Sequence, residues 1–170
     1  MERDGQPAIQ GGRNYVELKL LQRVVGRRLT SASRIVHEFA GQVDGDCGDL
    51  ELTFDDGTII LLRGSGDGER LVMDGRAWVD PFEPPLSKEN EAFVRESGKA
   101  VRSDAQLIGP ALPIGEVFEN YRLVRNQFGT PAGVVMVFAG ATVRFVVHCD
   151  ESYVMTSDDP RFRDWGFQDG

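Results

Sequence analysis

Residues 50–62 read LELTFDDGTIILL and residues 134–146 read VVMVFAGATVRFV. Both are rich in β-branched and aromatic residues around a glycine-bearing break, the pattern of two strands joined by a turn. They align with Phe54 over Phe138 and Thr58 over Thr142. Further out, Val25-Gly26 and Leu29 are echoed by Ile108-Gly109 and Leu112, and Leu71-Val72-Met73 by Tyr153-Val154-Met155. Asp80-Pro81-Phe82 is echoed by Asp159-Pro160-Arg161-Phe162. The offset stays within a few residues of about 83, so the order of elements is kept, as in an internal repeat. Each half alone has too few strands to bury its apolar face. The expected fold is α+β and mainly antiparallel β: two similar β-meander halves sharing a core, with one or two packed helices.

Leu50, Leu52 and Phe54 alternate with Glu51 and Thr53, so one face of this strand is expected in the core and one in water. Asp56-Gly57 then offers the two positive-φ positions of a tight hairpin turn. Residues 34–39 and 70–73 are the other strands expected in the first half, and 117–128, 134–138, 141–147 and 153–156 those in the second. Tyr15, Leu18, Leu21 and Val25 recur at near-helical spacing, with Asn14 as N-cap and Gly26 as stop, although Val16, Leu18 and Leu20 also alternate as in a strand. Pro81, Pro84 and Pro85 forbid a central strand, and Ser87 can cap a helix from Lys88 to Gly98 that packs across or beside the sheet and links the halves. Residues 1–13 read as a flexible tail and 14–170 as a single domain. Its halves, 24–82 and 107–162, are joined by the Pro-rich and helical segment 83–106. Whether the sheets form a sandwich, a partly closed barrel or one continuous sheet stays open. Phe162, Trp165 and Phe167 are suited to docking the C-terminal tail on the core.

A net charge of −8 argues against non-specific nucleic-acid binding, which depends on neutralising phosphates. No apolar stretch reaches the roughly 18 residues of a membrane span, and the start MERDGQPAIQGGRN lacks the apolar segment of a secretory signal. A cytoplasmic protein with no membrane or nucleic-acid partner is expected. Cys47 and Cys149 are too few for a disulfide framework or a cysteine-rich zinc site. The acid is unevenly placed. Between Arg34 and Arg63 there is no Lys or Arg, yet Glu38, Asp44, Asp46, Asp49, Glu51, Asp55 and Asp56 all fall there. Such acid is either the solvated side of turns or a surface that steers a basic partner.

Motifs for chemistry are weak. His148-Cys149-Asp150 joins three reactive residue types, but neighbours on a strand point to opposite faces. The loop 44–49 resembles a calcium loop only until Gly48 and Asp49, which invert the residue types that ligand pattern requires. The loop 63–68 lacks the lysine of a phosphate cradle and carries acid instead. No metal or cofactor is expected, and no catalytic residue stands out. Trp78 reads either as a core plug beneath the Pro-rich crossing or as a binding hot spot.

The hairpin Leu52-Thr53-Phe54-Asp55-Asp56-Gly57-Thr58, in a short acidic chain, resembles small bacterial immunity proteins found beside secreted toxins. That resemblance implies a non-enzymatic module that blocks a toxin by binding it through an acidic face. The expected contact residues are Asp44, Asp46, Asp49, Asp55, Asp56 and Trp78, against a protein with a basic surface. The alternative is a small-molecule- or metal-binding β-domain with its pocket between the two halves. An enzyme using scattered carboxylates or His148 is the third reading.

Overall fold

The stretch 50–62 folds as a hairpin. In the computed structural model, which describes residues 12–170, strand β3 (Asp49–Phe54) pairs antiparallel with β4 (Ile59–Gly64), Leu52 opposite Ile60. The turn differs from the two-residue form expected. Phe54 N–H donates to Thr58 O at 2.9 Å and Gly57 N–H to Phe54 O at 2.9 Å, so Asp55, Asp56 and Gly57 form a three-residue loop. Only Gly57 takes positive φ, at +81°, because Asp56 instead turns its carboxylate to accept the Thr58 N–H at 2.9 Å.

Around this hairpin the chain begins with α1 (Gly12–Val24), β1 (Leu29–Phe39) and β2 (Gln42–Val43). After β4 come β5 (Leu71–Asp74), α2 (Lys88–Ser97), β6 (Lys99–Asp104) and a 3-10 turn at Ala105–Leu107. The second half runs β7 (Phe118–Arg125), β8 (Pro131–Phe138), β9 (Ala141–His148), β10 (Glu151–Thr156), α3 (Pro160–Asp164) and β11 (Gln168–Asp169). Among the described residues the fold is thus mainly antiparallel β with two sheets and three helices. In the first sheet β1 is central: Ser33 lies between Glu51 of β3 and Asp104 of β6, and Glu38 between Val43 of β2 and Lys99 of β6. From β3 that sheet continues through β4 to β5. The second sheet has the order β10-β9-β8-β7-β11.

One core serves both sheets. Leu50, Leu52, Ile60 and Leu62 from the first meet Val134, Met136, Phe145 and Val147 from the second, and Leu21 and Val24 of α1 join them. Phe118 packs edge-on to Phe54 at 6.0 Å and to Phe138 at 5.4 Å; burying each such ring contributes roughly 1.5–3 kcal/mol. Backbone bonds stitch the sheets at both ends, from Gly26 N–H to Phe118 O (2.7 Å) and from Gly48 N–H to Ser152 O (2.8 Å). The outer face of the second sheet is roofed by the chain end. Phe162 and Phe167 bury Val135, Val146 and Met155, and the Arg144 guanidinium lies 4.1 Å over the Phe162 ring.

Three expectations change. Residues 1–11 of the expected tail lie outside the described residues, but Gly12 and Arg13 are helical, so α1 starts before Asn14 and Asn14 is not its cap. Strand β1 begins at Leu29 rather than Arg34, and the joining segment 83–106 contains β6, an edge strand that exists by pairing with β1. Helix α2 has the expected Ser87 cap, whose Oγ accepts from Asn90 N–H at 3.2 Å, but it buries no residue. It therefore does not pack across the sheet: Phe93 stays exposed and stacks on Phe82 at 5.5 Å.

Candidate functional site

Strand β3 separates the expected acidic face into two groups. Asp55 and Asp56 sit in the turn at its C-terminal end, where Asp56 pairs with Arg27 at 3.4 Å. Asp44, Asp46 and Asp49 lie at its other end, about 17 Å away for a strand of this length. Trp78 belongs with the second group: its backbone N–H donates to Glu51 Oε2 at 2.6 Å, and Arg102 ties its carbonyl (2.9 Å) and Glu51 (3.0 Å) together. Trp78 is half-buried over the outer side of the first sheet, not in the shared core.

The group at the N-terminal end of β3 opens onto a cleft of about 420 Å³. Its walls come from both halves: Asp44, Cys47 and Asp49 of the first, Asp150, Glu151 and Ser152 of the β9–β10 turn, with Trp78 and His37 at the sides. Four carboxylates and no lysine or arginine line it. Asp46 stands beside the cleft, neutralised by Arg161 at 3.2 Å. The loop of Asp44 and Cys47 is held by Gly48, where a β-carbon would meet Ile35 O at 2.4 Å, so the chain can approach β1 this closely only as glycine.

Electrostatics decide what the cleft can do. Burial pushes the Cys47 thiol up to about 12, helped by its hydrogen bonds to Glu151 and Asp44, so it is a protonated donor and no nucleophile at neutral pH. Burial also raises Asp49 above the usual carboxylate range, against the pull of Ser152 Oγ (3.2 Å), Arg63 and Arg34. His37 is engaged by its Nε2 with Ser97 O at 2.8 Å. His148 is not in the cleft. Its ring stacks on Trp165 at 4.3 Å, and Cys149 is exposed in the turn that follows. Among the described residues no three His, Cys, Asp or Glu side chains gather as a metal-ligating group. The arrangement is suited to holding a cation by charge and hydrogen bonds.

Sequence reading missed Glu151 and Asp150. The turn Cys149-Asp150 places two non-glycine residues at φ +50° and +68°, with none of the glycine or asparagine that marks such a turn, so no local pattern aimed it at the cleft. Compared with known protein families, curated proteins and solved structures, the chain matches none. No helix among the described residues is long and apolar enough to cross a membrane.

Proposed function

We propose that this protein is a non-enzymatic binding module that receives a basic protein partner at the cleft lined by its first sheet and the β9–β10 turn. The observation that carries this is the lining: carboxylates Asp44, Asp49, Asp150 and Glu151 converge from both halves without a compensating cation among the lining residues. A field of one sign in a concave, partly desolvated site attracts and orients opposite charge more strongly than the same acids spread over a flat surface. The protonated Cys47 supports binding over covalent catalysis. Neutralising a toxin in the cytoplasm of a bacterial cell, as the hairpin resemblance implies, is the biological role we assign to this surface. We also read the two meanders β1-β3-β4-β5 and β7-β8-β9-β10 as copies of one ancestral unit; their like strand order and the sequence echo support it.

The test is affinity capture from the native host with three baits: wild type, a cleft variant (Asp44→Asn, Asp150→Asn, Glu151→Gln) and a turn variant (Asp55→Asn, Asp56→Asn). A stoichiometric basic protein held by the wild type and the turn variant, and lost by the cleft variant, is the expected result. Retention by the cleft variant with loss by the turn variant overturns the assignment. The second reading, a small cationic ligand, is favoured by the cleft volume and its place between the halves. It predicts a rise in melting temperature with polyamines and no protein captured.

A further inference from the structure

Resting on the reading of the cleft as the seat of a basic partner, we infer that the group it takes from that partner is an arginine side chain, not a lysine. The cleft presents carboxylates from two sides, Asp44 and Asp49 from the first sheet and Asp150 and Glu151 from the β9–β10 turn, with Trp78 as an aromatic wall. A planar guanidinium carries five donors in a fixed fork, sheds water readily, and lays its face on an aromatic ring while its edge meets carboxylates on more than one side. An ammonium is a compact, strongly hydrated point charge that gains less from such a divided lining.

The molecule itself uses this recognition twice at the margins of the cleft. Arg102 meets the Glu51 carboxylate at 3.0 Å with its guanidinium 5.7 Å over the Trp78 ring. Arg161 meets Asp159 at 2.8 Å and Asp46 at 3.2 Å, with its guanidinium 5.5 Å over Tyr153 and 5.6 Å over Trp165. Lys99 pairs with Asp80 at 2.8 Å. The cleft lining holds the same residue types, carboxylates and the Trp78 that Arg102 meets, with no lysine or arginine among the lining residues. Val43 and Val79, next in the chain to Asp44 and Trp78, are 45% and 73% exposed. They suit apolar residues flanking the arginine, the arrangement in which a buried charged anchor is shielded from water by its neighbours.

The test titrates the isotopically labelled full-length protein with three probes, acetyl-Leu-Arg-Leu-amide, acetyl-Leu-Lys-Leu-amide and the uncharged citrulline analogue, followed by amide and Trp78 indole shifts. The arginine peptide is expected to bind at least about fivefold tighter than the lysine peptide, with shifts centred on Trp78, Gly48 and Ser152 and none from citrulline. Glu151→Gln weakens it and Asp55→Asn does not. Trp78→Leu, where the wild-type spectrum shows the fold retained, reduces the preference for arginine over lysine. Equal affinity for the two peptides, or tighter lysine, overturns the arginine assignment and leaves the basic-partner reading standing. No shift at the cleft from either peptide overturns both.

Discussion

Asp49 is the carboxylate whose environment is most at odds with its charge. Burial holds its proton to higher pH in the folded protein than in the unfolded chain. The sign follows from linkage: the stability this proton contributes is complete below the ordinary Asp range, near about pH 4, and is lost as pH rises through the raised folded value. Asp56, Asp74, Asp80 and Asp159 are shifted downward and act in the opposite sense, losing stability as pH falls. They are common to wild type and Asp49→Asn and cancel in the difference. Urea unfolding of both proteins across mildly acidic to neutral pH should therefore show the variant gaining on the wild type as pH rises. A constant difference would show that Asp49 titrates normally. Arg34 poses the converse problem. It is 1% exposed, NH2 reaches Gly48 O at 2.9 Å, and Nε and NH1 have no partner. A whole buried ion pair can often be replaced by apolar residues at little cost, but removing one member leaves the other charge uncompensated, and Arg34 lies close enough to pull on the buried Asp49. Arg34→Met removes that compensation and should cost about 3 kcal/mol or more at neutral pH, read by equilibrium unfolding; a change within about 1 kcal/mol would show that Arg34 is not a net structural tie.

Among the elements, the two hairpin cores differ in what their glycines do. Gly57 needs its positive φ of +81° but has open space around it, whereas Gly133 in β8 has a β-carbon position 2.3 Å from Phe145 O and 3.0 Å from Val146 Cα. Gly57→Ala should cost about 1 kcal/mol, the price of a left-handed alanine. Gly133→Ala must push β8 off β9 and should cost about 2 kcal/mol or more, so the two unfolding midpoints separate clearly. Equal midpoints would mean that the sheet yields at Gly133. The hairpins were legible because their apolar alternation needs no partner to be recognised. Strand β6 was not: Lys99-Ala100-Val101-Arg102-Ser103-Asp104 has one apolar side chain larger than alanine, and its pairing from Ser33 to Glu38 of β1 supplies what its sequence lacks.

At the scale of the whole molecule, the last fourteen residues act as a roof rather than a tail, since Phe162 and Phe167 cover Val124, Ala132, Val135, Val146 and Met155. Truncation after Thr156 should lower stability by roughly 3 kcal/mol or more, from two rings alone, and should produce dye-binding apolar surface. An unchanged melting temperature would show that the second sheet needs no cover. The amino-acid order by itself determined the strands of both meanders, the capped helix α2 and the acid excess around β3, because period, turn chemistry and charge are local properties of the chain. The tertiary structure alone decided that the acid divides at the two ends of β3, that Arg161 neutralises Asp46, and that Asp150 and Glu151 come from more than a hundred positions away to face Asp44 and Asp49. Convergence of charge depends on how two sheets dock over a shared core, and that docking is fixed by packing between halves, which no local pattern encodes.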